Sequence, residues 1–142
     1  MKRSSVKPSS QRKSMYQASQ HVRHKMLSAR LASDLKIKYG VKSFPVRKGD
    51  TVRILRGAYA GVEGKIRKVD LKNFRVTIEG VTREKADGTT VYVPVHPSNL
   101  MLVRLDLGDK WRSSRLEALS KVKEAELLEE EEEGVEEPES GG

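Results

Sequence analysis

The chain has no cysteine, so neither a disulfide framework nor a thiolate metal site can form. Aromatic residues make up only 5% and apolar residues 36% of its 142 positions, which leaves material for one small core plus tails. Long apolar runs are missing too. The longest uncharged ones, around Val91–Val95 and Leu100–Val103, are far too short to span a bilayer. The start, Met1-Lys2-Arg3-Ser4-Ser5, is cationic but no apolar segment follows it, so no secretory signal is expected. Each end is poor in charge of one sign. Residues 1–48 hold one acid, Asp34, against 13 Lys and Arg, whereas residues 106–142 hold 13 acids against 5 cations. The middle, 49–105, holds 10 cations against 6 acids, so the net charge of +8 conceals a basic arm, a mildly basic body and an acidic tail. The expectation is a soluble, cytoplasmic protein without membrane insertion, whose basic part meets a polyanion.

Hydrophobic periodicity divides the chain further. Residues 1–20, rich in Ser, Gln and cations, read as an extended basic arm that cannot form a core alone. Residues 21–43 read as a helical extension, because Val22, Met26, Leu27, Leu31, Leu35 and Tyr39 fall at helical spacings. Ser33-Asp34 can start a short last helix and Gly40 can stop it, which leaves one helix or two over 21–39. Residues 44–106 read as five short strands, near 51–55, 64–69, 73–79, 90–95 and 100–105. Alternation slips between Ile66 and Val69, which predicts a bulge, and Pro94 predicts an edge strand. Asp87-Gly88 marks a tight turn between the third and fourth strands. Five short strands with glycine-rich turns suit a small, partly open barrel, so the fold class is mainly β. Residues 107–123 read as a C-terminal helix, with Ser114-Arg-Leu-Glu117 at capping-box spacing and Trp111, Leu119, Val122 and Leu127 as its apolar stripe. The carboxylate run and late glycines make 124–142 an expected disordered acidic tail.

One stretch carries most of the chemistry, Asp50-Thr-Val-Arg-Ile-Leu-Arg-Gly-Ala-Tyr-Ala-Gly-Val-Glu-Gly-Lys65-Ile66. Gly57, Gly61 and Gly64 allow backbone shapes and close approaches that a side chain forbids. Arg53, Arg56, Lys65, Arg67 and Lys68 supply phosphate-binding charge, and Tyr59 at the loop tip can stack on an unpaired base. Glycine spacing alone leaves a tight turn with incidental cations as an equal reading. A nucleotide-binding phosphate loop is excluded, because Ile66, not Ser or Thr, follows Lys65. His21 and His24 lie three apart but lack the further ligands of a metal site. His96 fits a turn or an RNA contact, and Asp50 fits a turn. No cofactor motif and no poised acid–base pair is present, so no enzyme is expected.

The same stretch resembles the KOW motif, which ribosomal proteins share with transcription elongation factors. The flanking segments Gln11-Arg-Lys13, Tyr16-Gln-Ala18, His21-Val-Arg23, Lys38-Tyr-Gly-Val41, Pro45-Val-Arg-Lys48, Arg83–Val91 and His96-Pro-Ser98 resemble the archaeal and eukaryotic form of universal large-subunit ribosomal protein twenty-four. The resemblance runs from about Lys7 to Leu116. One departure is Ser19, where family members often carry proline after the alanine matched by Ala18. The resemblance implies an SH3-like barrel bound to large-subunit rRNA near its 5′ end. It also implies a part in early subunit assembly and a seat beside the polypeptide exit tunnel. The implied partners are rRNA, neighbouring ribosomal proteins and nascent-chain targeting factors. The implied RNA contacts are Arg12, Lys13, His21, Arg23 and Lys25 of the arm, Arg53, Arg56 and Lys65 of the motif (with Gly57, Tyr59 and Gly61 of its loop), and Arg83 and Lys85 of the hairpin. The alternative is an elongation factor of the same motif acting on polymerase or nascent RNA.

Overall fold

A computed structural model describes residues 5–135. The elements run α1 (Pro8–Gln17), α2 (Gln20–Met26), β1 (Ser28–Leu31), α3 (Ser33–Tyr39), β2 (Ser43–Pro45), β3 (Thr51–Ile54), β4 (Glu63–Asp70), β5 (Arg75–Glu84), β6 (Thr90–Val95), a 3-10 turn (Pro97–Asn99), β7 (Leu100–Arg104) and α4 (Lys110–Val135). The fold is therefore mixed α/β. Seven strands form one row in the order β2-β1-β7-β3-β4-β5-β6, and among the described residues no pairing joins β2 to β6. This corrects the expected five-stranded barrel: the sheet is open and has two more strands.

The five anticipated strands are all present. Their alternating residues Val52, Ile54, Ile66, Val76, Ile78, Leu100 and Leu102 make the core. The bulge falls where alternation slipped, between Ile66 and Lys68. β6, with Pro94, is an edge strand. Gly64 sits where β4 leaves β3 and turns onto β5. A Cβ there would meet the Glu79 carbonyl oxygen at 2.6 Å and the Ile78 side chain at 2.8 Å, so only glycine lets the strands pass this closely.

The extra strands come from the segment expected to be helical. Leu27 and Leu31 are four apart, but Leu27, Ala29 and Leu31 are all buried at period two. β1 pairs antiparallel with β2 and parallel with β7, through Arg30 with Met101 and Leu31 with Leu102. Gly40 closes α3 as expected, with φ 69° and its N–H donating to the Lys36 carbonyl.

The arm is helical rather than extended. α1 begins at Pro8, whose fixed φ suits a first helical turn, and it buries no residue. Ala18 and Ser19 then adopt extended backbone, with ψ of 137° and 163°. Ser19 thus takes the conformation that a proline would impose. α4 runs past the expected boundary at 123 to Val135, because Ala, Leu and Glu are good helix formers. Asp109, not the Ser114 box, caps it: its carboxylate accepts the Trp111 N–H at 3.2 Å. Its packed face is Arg112, Leu116 and Leu119, whereas Trp111, Val122 and Leu127 are exposed. Of the expected disordered tail over 124–142, residues 124–135 are therefore helix, and 136–142 lie outside the described residues.

Candidate nucleic-acid interface

The anticipated contact residues fall into separate places. Arg12 and Lys13 are exposed on α1, and His21 and Lys25 are exposed on α2. Arg56, Gly57 and Gly61 are exposed in the loop between β3 and β4, where both glycines have positive φ (99° and 85°). Arg83 is the last residue but one of β5, and Lys85 stands on the adjoining hairpin turn. Three of the expected contacts are already engaged within the protein. Arg53 is paired with Glu63 across the β3–β4 ladder, its Nε donating at 2.7 Å. Tyr59 is half-buried against the core and its hydroxyl donates to the Thr82 carbonyl at 3.2 Å, so its ring is packing rather than a free stacking platform.

Arg23 is the third. Its guanidinium donates to the carbonyls of Tyr16 (2.7 Å), Ala18 (3.0 Å), Leu71 (3.3 Å) and Lys72 (3.1 Å). It also lies over the Phe74 ring, 5.1 Å from the centroid. Phe74 has φ of 54°, unusual for a bulky side chain, at the turn between β4 and β5. Arg23 therefore fastens α1 and α2 to that turn. It positions the arm, and since all four partners are neutral carbonyls its charge stays unneutralised.

A groove of free cations lies at the other end of the β3–β4 hairpin from Arg56. Two adjoining clefts of about 610 and 590 Å³ share Lys48, Arg67 and Lys68. His24 and Arg47 extend them on one side, and Lys65 with Glu79 on the other. Lys48, Lys65, Arg67 and Lys68 are exposed, and none of the described ion pairs uses them. The Arg67 guanidinium lies over the Tyr92 ring of β6, 4.1 Å from its centroid. The field in the groove is positive. His24 is held below the ordinary imidazole range by burial first, then by Arg47 and Arg112. Sequence reading missed Lys48 and grouped Arg67 and Lys68 with the glycine loop. The groove forms because the segment before β3 folds back beside the bulge of β4.

Beneath the groove lies a buried ion pair. Asp50 is fully buried and Arg112 is 7% exposed. The guanidinium grips both carboxylate oxygens, at 2.6 and 2.5 Å. Asp50 also accepts the backbone N–H groups of Arg47 (3.0 Å) and Asp106 (2.9 Å). Arg112 donates further to the carbonyls of Asp106 and Pro45. The turn role expected of Asp50 is real, but its larger task is to dock α4.

The family of eukaryotic L26 and archaeal L24 ribosomal proteins matches residues 5–118, well over half of the chain. The chain belongs to this ribosomal protein family. Curated relatives carry the name large ribosomal subunit protein uL24. The one from Sulfolobus acidocaldarius is 50% identical over 120 residues, covering 84% of this chain and 90% of the relative. The one from Pyrobaculum islandicum is 49% identical over 117 residues, covering 82% and 95%. The one from Korarchaeum cryptofilum is 48% identical over 128 residues, covering 90% and 97%. Membership places the chain among ribosomal proteins, which are not enzymes. The family match spans the arm, the sheet and the first turns of α4, so it reaches well beyond the KOW motif on which the elongation-factor alternative rested.

Proposed function

We propose that this chain is a structural constituent of the large ribosomal subunit that holds large-subunit rRNA near its 5′ end. In this reading it assists early subunit assembly and sits beside the exit tunnel, with ribosomal proteins and nascent-chain targeting factors as neighbours. It is cytoplasmic and ribosome-bound. The observation that carries the reading is the groove of Lys48, Lys65, Arg67 and Lys68, four cations outside every described ion pair with Glu79 as the one carboxylate in the lining, in a chain about half identical to proteins named for the large subunit. A groove of this kind binds the phosphate backbone and fixes register, with little base readout. The arm residues Arg12, Lys13, His21 and Lys25, the loop residue Arg56 and the hairpin cations Arg83 and Lys85 extend the contact. No described helix is long and apolar enough to cross a membrane. Sucrose-gradient sedimentation of a lysate before and after a high-salt wash tests the reading. The chain should stay with the large subunit through the wash; co-sedimentation with RNA polymerase instead would support the elongation factor.

Binding should also depend on pH through His24. Free, its imidazole is held low by burial and by Arg47 and Arg112. An RNA phosphate in the groove offsets those cations and raises the bound-state pKa, so binding takes up a proton. Affinity should therefore strengthen as pH falls from about 7.5 to about 5.5, around the ordinary imidazole range. Fluorescence anisotropy on a labelled rRNA fragment would show this, and His24→Gln should flatten the profile. An equally steep profile in the variant would remove His24 from the effect.

A further inference from the structure

Trp111 is the only tryptophan of the chain, and it is 85% exposed on the first turn of α4. Tryptophan is normally well buried, since its ring offers one of the largest apolar surfaces of any side chain. A lone exposed ring needs no explanation by itself, but this one stands at the rim of a cleft of about 490 Å³. The cleft has an apolar wall that includes Phe44, and Lys25, Arg47 and Arg115 stand around it. Arg115 lies four residues after Trp111, on the same face of α4. The only carboxylate in the lining, Asp109, is occupied: it pairs with Arg47 and caps the helix. A volume of this size suits a small planar ligand, and Lys25 and Arg115, outside every described ion pair, select a negatively charged one. The cleft also shares His24 and Arg47 with the basic groove, so the two are continuous.

We propose that Trp111 and the cleft beside it capture one unpaired nucleotide of the bound RNA, its base stacking on the indole and its phosphate meeting Lys25 and Arg115. This rests on the RNA-binding reading above and adds a task to it. The groove reads backbone, whereas the tryptophan reads the presence of an unstacked base. Stacking on an aromatic face tolerates any base, so the site selects a bulge or loop rather than a sequence. An acidic peptide would match the cations as well. The continuity with the groove favours RNA, because a strand held there runs directly into the cleft.

Tryptophan fluorescence reports on this site alone, as the chain has no second tryptophan. The full chain would be titrated with three RNA hairpins: one with a single bulged nucleotide, one with the bulge made abasic, and one fully paired. Anisotropy of a label on the RNA measures binding separately. All three should bind, and only the bulged hairpin should quench the tryptophan. Trp111→Ala should lower affinity for the bulged hairpin roughly tenfold, to the level of the other two, while Trp111→Phe keeps most of the preference. Equal quenching by all three, or an undiminished preference in Trp111→Ala, would overturn the capture site and leave the groove standing. Quenching by an acidic peptide but by none of the bound hairpins would overturn it in favour of a protein ligand. If no hairpin binds at all, the RNA-binding reading itself fails, and the capture site with it.

Discussion

Replacing Asp50 with alanine should destabilise the protein by about 3–5 kcal/mol, a loss of the order of 10–20 °C in Tm. The reason is asymmetry. A bidentate guanidinium–carboxylate pair under the sheet contributes modestly against an apolar alternative, because both charges give up water to be there. Removing one partner leaves the other buried and uncompensated. In Asp50→Ala the orphan is the Arg112 guanidinium, together with the N–H groups of Arg47 and Asp106 that the carboxylate accepts. Arg112→Ala should cost less, since Asp50 keeps those two backbone donors. Urea denaturation followed by circular dichroism would separate the two variants. Against a total of about 5–15 kcal/mol for a domain, the larger loss brings Asp50→Ala near its folding threshold. A cost below about 1 kcal/mol for Asp50→Ala would show that the pair does not hold α4 in place.

This ion pair also marks the limit of what the sequence discloses. Its members lie 62 residues apart, and Arg112 looks like any other cation of the chain. The strands were legible because alternation is local: Val52 with Ile54 and Val76 with Ile78 announce their own face. Even the bulge at Ile66–Lys68 and the αL stop at Gly40 were visible, since each needs only neighbouring residues. β1 was not. Leu27 and Leu31 satisfy helical spacing as well as strand alternation, and the strand that decides between them, β7, lies about seventy residues on. α1 offered no apolar signal because it buries nothing. The candidate site divides the same way. Charge composition pointed to a polyanion, but which cations are free depends on partners. Arg53 is taken by Glu63, Arg23 by four carbonyls, and Tyr59 by the core. Lys48 joins Lys65, Arg67 and Lys68 only once the chain has folded.

That distinction between free and engaged cations gives the second large effect. Log affinity for RNA falls linearly with log salt, by about 0.7–0.9 for each phosphate whose counterions are released. Replacing Lys48, Lys65, Arg67 and Lys68 together by glutamine should make that slope shallower by about three. At low salt the variant should bind on the order of a hundredfold or more weakly, and about uniformly across RNA sequences, because phosphate contacts carry no sequence information. Arg56→Ala, at the opposite end of the hairpin, should change the slope by about one at most. Arg53→Ala should hardly move it, since Glu63 already balances that guanidinium. A shared melting temperature would show that the charge changes leave the fold intact. The opposite pattern would be decisive the other way. An unchanged slope in the groove variant, with loss on replacing Arg12, Lys13, Arg56, Arg83 and Lys85, would move the interface from the groove to the arm and the loop tips. The expected ranking of these variants is physical. A cation outside any ion pair has its charge available to a phosphate, whereas a paired one must first surrender its partner. Four such cations in one groove, joined to an exposed tryptophan by a shared cleft, outweigh a larger number scattered over separate faces.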